Sequence, residues 1–330
     1  MNNRILLSDK PDKIDGVYTP EMRDRLGVDR EVFTKEKVLA APAAFSEVTE
    51  IFSTWGMPAF TEEEIRTVFP NLRCVYYSAG TVQSFARPFL NCGVRVFSAW
   101  AANAVPVAEF TVSEIVLCMK GFFWTVGADS AAKMAFARKE RKKIRGNYCF
   151  RVGILGAGMV GKEVIRLLRN YECEIAVFDP FLPDEKAREL GVTKASLDEI
   201  FATCDVVSNH LANNEQTKGM LRGAHFAAMG KDCFFINTGR GAQIVESEMT
   251  DVLAERKDLT VLLDVTYPEP PVENSPLYSL QNVILTPHIA GSLGKEYHRM
   301  ALYMAEEAER VAKGEAARWE VTLKMLETMA

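Results

Sequence analysis

One six-residue run constrains this chain more than any other feature: Gly156-Ala157-Gly158-Met159-Val160-Gly161, a G-x-G-x-x-G pattern. Glycine triplets of this kind arise by chance, so the pattern gains meaning only from its setting. Residues 151–155 form a short, β-rich apolar run, and residues 162–170 carry Val164, Leu167 and Leu168 on one helical face, with the helix expected to start at Gly161. A second strand is expected over 174–178, with Asp179 at its end. Strand, glycine turn, helix, strand and acid in that order define what each residue does. Gly156 makes the tight turn, Gly158 lets backbone approach a pyrophosphate, and Gly161 permits close helix-to-strand packing. The N–H groups at the helix start, aided by its dipole, hold phosphates. Asp179 stands where a carboxylate meets the adenosine ribose hydroxyls and would repel a 2′-phosphate, so the expected cofactor is NAD.

The same alternation continues downstream. A capping pattern at Ser196 and Glu199 opens a short helix carrying Leu197, Ile200 and Phe201, and strands are expected over 205–208, 233–236, 260–263 and 283–285. Short apolar strands separated by helices argue for a parallel sheet covered on both faces, a doubly wound α/β domain. The first hundred residues also read as α/β, with strands expected over 4–7, 48–52, 74–77 and 94–97, but they hold no glycine signature. Residues 110–120 and 292–313 read as long helices. At 330 residues the chain exceeds one typical core. We therefore place a nucleotide domain over 101–290 and a substrate domain over 1–100 plus 291–330. A cleft between two such domains is the default place for a ligand.

Composition excludes other classes. A net charge of −5 gives no general reason to bind nucleic acid or an anionic membrane. The basic run Arg138, Lys139, Arg141, Lys142, Lys143 and Arg145 is a local exception and reads as a solvated helix or connector. The apolar patch Ile5-Leu6-Leu7 is too short for a signal-peptide core or a membrane span, so a soluble cytoplasmic protein is expected. Seven cysteines are scattered singly with no Cys-x-x-Cys spacing. They read as reduced core residues, and no metal site is expected.

Three polar residues follow apolar strands, at the edge where open α/β sheets bind ligands. Arg240 lies in the loop after 233–236, Glu269 in the proline-rich turn 267–271, and His288 in the turn 286–291. Arginine can hold a carboxylate by two parallel hydrogen bonds, and histidine is the side chain best poised to exchange a proton near neutral pH. A carboxylate beside that histidine would orient it and favour its charged form. His225 and His298 fall in expected helices. His210 ends the 205–208 strand and is expected to line the cofactor side.

In these residues and their order, the chain resembles the D-isomer-specific 2-hydroxyacid dehydrogenases. The resemblance rests on residues 152–161, 236–242, Leu263-Asp264-Val265 with Glu269-Pro270, Ser275-Pro276-Leu277 followed by 282–291, and residues 103–109. It implies a Rossmann-type NAD domain inserted in a flavodoxin-like α/β substrate domain. It further implies that Arg240 binds the substrate carboxylate and carbonyl oxygen, that His288 is the acid/base, and that Glu269 pairs with His288. Met159 and Val160 would touch the pyrophosphate, Asp179 the ribose, Thr238 and Gly239 would line the cofactor, and Asp264 would meet the nicotinamide amide. N–H groups from the loop 78–81, at Ala79 and Gly80, would meet the substrate carboxylate. A homodimer through the nucleotide domain is implied too. Two departures stand out: Ala212 and Asn214 replace the usual proline and threonine after the residue matching His210, and residues 82–85 lack the usual acidic side chains.

The activity expected is hydride transfer at the 2-position of a small 2-hydroxy or 2-oxo acid. A rival from another class is an NAD(H)-sensing, corepressor-like binding protein on the same fold. A second rival, an amino-acid dehydrogenase, would not carry this arginine, glutamate and histidine set in this order. The loop 53–61 offers Trp55, Met57 and Phe60 but no arginine or lysine. A pocket edged by these residues is expected to favour an unphosphorylated acid with a small or apolar side chain.

Overall fold

The computed structural model describes residues 3–127 and 129–327. The chain forms two compact units, one of Met1–Asn103 with Ser292–Ala330 and one of Ala104–Gly291. It passes from the first to the second within one helix, Trp100–Met119.

Unit 1 is built on β1 (Arg4–Leu7), β2 (Val32–Phe33), β3 (Glu50–Ser53), β4 (Cys74–Tyr77) and β5 (Arg95–Ser98), with β13 (Glu320–Val321) added antiparallel to β5. The order is β13-β5-β4-β3-β1-β2, and the first five strands pair in parallel. Strands β1 to β5 thus run 2-1-3-4-5, the flavodoxin-like arrangement. Successive residues face two different cores. Ile5, Leu7, Ile51, Val75 and Tyr77 point one way, while Leu6, Phe52, Cys74, Tyr76 and Phe97 point the other. Burial on both faces is why these strands read as unbroken apolar runs.

Unit 2 holds β6 (Phe150–Leu155), β7 (Cys173–Phe178), β8 (Thr193–Lys194), β9 (Val206–Asn209), β10 (Phe234–Asn237), β11 (Thr260–Leu263) and β12 (Val283–Leu285). They form one parallel sheet, β12-β11-β10-β9-β6-β7-β8. This is the Rossmann order 3-2-1-4-5-6 with one strand more. Val152, Ile154, Val206, Phe234 and Ile236 pack with Ile115, Val164 and Leu168 on one face. Val207, Phe235, Val261 and Leu263 pack with Ile200, Phe226 and Leu253 on the other. Chain order reverses between neighbouring β6 and β9, so the loops leaving their carboxyl ends flank the switch point where such sheets bind ligands.

Several local expectations are corrected. The helix after the glycine loop is Met159–Leu168, capped at Gly158, so it starts two residues before Gly161. The helix expected over 110–120 begins at Trp100 and carries Pro106 in its interior, where helix-ending rules would have stopped it. That helix is long and apolar enough to cross a membrane, but most of it is buried inside the fold. The closing helix is Tyr297–Ala312, preceded by a 3-10 turn at Gly294–Glu296. Strands β2, β8 and β13 have two residues each, too few to show a period. All seven cysteines are free, yet Cys149 is exposed, not core.

Candidate active site

The glycine loop is shaped by contacts that exclude side chains. Gly156 has φ +90°, and a Cβ there would lie 2.7 Å from the carbonyl oxygen of His210. At Gly161 a Cβ would lie 2.0 Å from the Gly156 carbonyl oxygen. Gly158 differs, since a Cβ there would meet nothing within 4 Å, which leaves open space over the helix start. No side chain caps that helix, so the first-turn N–H groups at Met159, Val160 and Gly161 face this space without an intrahelical acceptor. Asp179 closes the loop from the neighbouring strand end. Its Oδ2 accepts from Ala157 N–H at 2.8 Å and its Oδ1 from Phe181 N–H at 2.8 Å. An open anion cradle beside a fixed carboxylate fits the pyrophosphate and ribose of NAD.

His210 follows β9 with its Nε2 2.9 Å from Ser208 Oγ, while its buried Nδ1 has no protein partner among the described residues. Burial pushes this imidazole down to about 3, so it is neutral near pH 7 and is no rival acid. Of the two departures after it, Asn214 has a structural use: its Oδ1 accepts from the N–H groups of Gln216 and Thr217, whereas Ala212 is held through its backbone carbonyl, which accepts from Gln243 Nε2 at 3.0 Å as any residue's would.

The loop carrying Arg240 is held by buried amides that pattern reading missed. Asn237 Oδ1 accepts from Gly239 N–H at 3.0 Å and from Asn209 Nδ2 at 2.9 Å, and Asn237 Nδ2 donates to Arg240 O at 3.1 Å. Asn209 Nδ2 also donates to Gln243 Oε1 at 2.6 Å. A buried amide is costly unless paired, and here the pairing fixes two loops to each other. The only signal was an asparagine at the end of each of two apolar strands. Arg240 spends one N–H on Gly239 O at 2.7 Å. Its burial works against its charge and nearby Glu269 works for it. Thr238 is buried and its hydroxyl lies 3.0 Å from that of Thr111.

Asp264, just after β11, organises the histidine turn. Its carboxylate accepts from Thr286 Oγ1 at 2.6 Å, Ile289 N–H at 2.8 Å and Ala290 N–H at 2.9 Å, and its carbonyl accepts from His288 N–H at 3.0 Å. Within this wrap His288 takes φ +55°, a left-handed conformation that a non-glycine residue adopts only when its surroundings impose it. Its Nδ1 then lies 2.6 Å from Glu269 Oε1. Nε2 is left for another partner, and both side chains are close to half exposed. Glu114, on the Trp100–Met119 helix, was not anticipated. It is buried, its Oε2 has no partner among the described residues, and burial together with the charge of Asp264 pushes it up to about 8.

In unit 1 the loop after β4 turns its carbonyls inward. Ser98 Oγ donates to Ala79 O at 2.9 Å and to Gly80 O at 2.5 Å, while the N–H groups of Ala79 and Gly80 have no acceptor among the described residues. That leaves two adjacent donors for an anion. The loop 53–61 corrects an expectation. Met57 and Phe60 are core residues, and Phe60 packs edge-on against Phe69 and Phe89. Of Trp55, Met57 and Phe60, Trp55 alone stays partly exposed.

Residues 125–290 match the model of the D-isomer specific 2-hydroxyacid dehydrogenase family, NAD binding domain. D-3-phosphoglycerate dehydrogenase of Archaeoglobus fulgidus is 29% identical over 240 residues, covering 71% of this chain and 44% of that one. Hydroxypyruvate reductase of Thermotoga maritima is 27% identical over 219 residues, covering 65% and 69%. The chain spans about half the length of the first curated relatives it matches. Among solved structures, apo D-mandelate dehydrogenase of Rhodotorula graminis has a TM-score of 0.79 at 20% identity, over 97% of each chain, a likeness of fold.

Proposed function

Because this chain belongs to the D-isomer specific 2-hydroxyacid dehydrogenase family and carries its NAD-binding domain, we propose that it interconverts a small D-2-hydroxy acid and its 2-oxo acid. The observation that carries this reading is the 2.6 Å contact between His288 Nδ1 and Glu269 Oε1. With Nδ1 donating to a carboxylate, Nε2 is the nitrogen that can deliver or accept a proton.

Bound NAD supplies the hydride acceptor, and NADH the hydride that adds to C2 in reduction. The chain's own residues do the rest. Arg240 has further N–H groups to offer a carboxylate or a carbonyl oxygen, and its partial burial strengthens such bonds. As C2 gains hydride, charge grows on the carbonyl oxygen, and His288 Nε2–H gives its proton there to leave the hydroxyl. Glu269 holds the resulting ring in place for reprotonation. Arg240 opposes the transient negative charge on that oxygen. Oxidation follows the same path in reverse, with His288 Nε2 taking the hydroxyl proton.

The test is direct. NADH and a panel of pyruvate, 2-oxoisocaproate, phenylpyruvate and hydroxypyruvate are mixed with the protein, and NADH absorbance is followed. Loss of NADH matched by formation of a 2-hydroxy acid supports the proposal. No loss with any acid, while NADH is bound, contradicts it.

A further inference from the structure

Glu114, on the Trp100–Met119 helix, is a buried carboxyl group that the proposed chemistry does not use. Its helix neighbours Val112, Ile115 and Cys118 pack against the sheet of unit 2. The sheet side of this contact is laid out in register. Ile236, Leu262 and Ile284 are paired across β10, β11 and β12 and share that core with the helix. Side chains repeat every two residues along a strand, so Thr238, Asp264 and Thr286 continue the same face just past the strand ends. Polar residues of the helix meet them there. Thr111, one turn before Glu114, has its hydroxyl 3.0 Å from that of Thr238, and Thr286 Oγ1 donates to Asp264 at 2.6 Å.

Glu114 is the member of this polar pocket with bonding capacity to spare. It is only 8% exposed, yet its Oε2 has no partner among the described residues, whereas Asp264 spends its carboxylate on Thr286 and on the N–H groups of Ile289 and Ala290. A buried polar atom left unpaired is costly and calls for a reason. Its surroundings hold Glu114 neutral. Burial and the nearby charge of Asp264 push it up to about 8. Cys118, one turn further on, is a buried thiol pushed well up by burial and by Glu114 itself. Of the other charged groups on this edge, Arg240 and His288 both face Glu269. Among the described residues, no cation pairs with Glu114.

Strand order indicates what could. The sheet runs β12-β11-β10-β9-β6-β7-β8. The open cradle at the start of the Met159–Leu168 helix follows β6, and Asp179, suited to the adenosine ribose, follows β7. With a pyrophosphate after β6 and an adenosine toward β7, the nicotinamide end of a dinucleotide belongs on the other side of the switch point, over the ends of β9, β10 and β11. Those ends carry Thr238 and Asp264. The nicotinamide ring is positively charged in NAD⁺ and neutral in NADH. We propose that Glu114 is the residue by which this protein tells NAD⁺ from NADH: it is a neutral acid in the free protein and beside NADH, and it gives its proton to solvent when the positive ring of NAD⁺ is seated over β10 and β11. A positive charge at close range favours the ionised form of a carboxyl by about ten- to a thousandfold. The proton returns when the ring becomes NADH, so the exchange balances over a turnover. The inference rests on NAD as the cofactor and not on hydride transfer to a 2-oxo acid, and it can fail while that reading stands.

The experiment is calorimetric titration of the full chain and of Glu114→Gln with NAD⁺ and with NADH, in HEPES and in Tris. The two buffers differ in ionisation heat, so the difference between them counts the protons exchanged. At about pH 7.5, NAD⁺ should release about half a proton from the parent and NADH almost none, the result of a tenfold preference for the ionised form. Glu114→Gln should lose that release, and any part it keeps belongs to His288. At about pH 9 the variant should bind NAD⁺ about tenfold more weakly than the parent while binding NADH equally well, whereas a merely structural Glu114 would move both cofactors together. Equal proton release with NAD⁺ from parent and variant, equal release with both cofactors, or failure of NAD⁺ to bind overturns the proposal. Should Glu114→Gln not fold, infrared difference spectra of the parent decide. Loss of a protonated-carboxyl band with NAD⁺ and not with NADH supports it, and a band that NAD⁺ leaves in place overturns it.

Discussion

His288 Nδ1 and Glu269 Oε1 lie 2.6 Å apart although the two residues are 19 positions apart in sequence. The contact is prepared by Asp264, whose carboxylate gathers the N–H groups of Ile289 and Ala290 and so sets the backbone turn at His288. His288→Ala should lower kcat about 10²- to 10⁴-fold, the usual contribution of a positioned acid. Glu269→Gln, which keeps a hydrogen-bond acceptor, should lower it less. Steady-state kinetics with saturating NADH checks both, and NADH affinity measured by fluorescence should change little in either.

The glycines of the loop separate folding from cofactor binding. Gly161→Ala would force a Cβ into the Gly156 carbonyl and should destabilise the fold by about 1–3 kcal/mol, as overpacking does. Gly158→Ala meets open space and should leave the melting temperature near that of the parent while weakening NADH binding at least about tenfold, a loss of about 1.4 kcal/mol. Thermal melts with and without NADH distinguish them.

Asp179 should set cofactor choice. Its carboxylate is pinned by Ala157 and Phe181 N–H groups and cannot easily swing away from a 2′-phosphate. kcat/KM should favour NADH over NADPH, and Asp179→Ala should narrow the ratio. The same substitution should lower stability by about 1–3 kcal/mol through the lost charge-assisted bonds. An unchanged cofactor ratio would dissociate Asp179 from the choice.

Glu114 makes stability depend on pH. Its folded-state value, about 8, lies above the 4.5 of an ordinary glutamate, so the folded state binds its proton more tightly than the unfolded chain does. The associated stability is full below about 4.5 and is lost as pH rises through about 8. The protein should therefore melt at a lower temperature at pH 9 than at pH 6, and Glu114→Gln, neutral at every pH, should flatten the difference. Melting curves at the two pH values for both proteins provide the check.

Much of this was legible because apolar strands end sharply. Gly156 and Arg240 follow β6 and β10, which are buried almost throughout and read as apolar runs, while Asp179 and His288 follow the less buried but still mainly apolar β7 and β12, so the polar or glycine residue after each run stands out. What stayed hidden depends on contacts between distant segments. Asn209, Asn237 and Gln243 matter only once two loops meet. Glu114 sits among apolar residues of one helix, and nothing local says that Asp264, 150 positions on, faces it. Lys10 and Trp55 share a cavity only because β1 and β3 are neighbours in the sheet. The two-residue strands β2, β8 and β13 exist through their partners and have no period of their own.

The central claim, hydride transfer to C2 with proton delivery by His288, is tested most directly by following an isotope. The protein is given NADH deuterated at C4 of the nicotinamide, on each face in turn, with the best 2-oxo acid of the panel, and the product is examined by NMR. One deuterium at C2 of a D-2-hydroxy acid, from one face only, with very little of that product formed by His288→Ala in the same time, is the predicted result. Product without deuterium at C2 from either face, or equal product from His288→Ala, would contradict it.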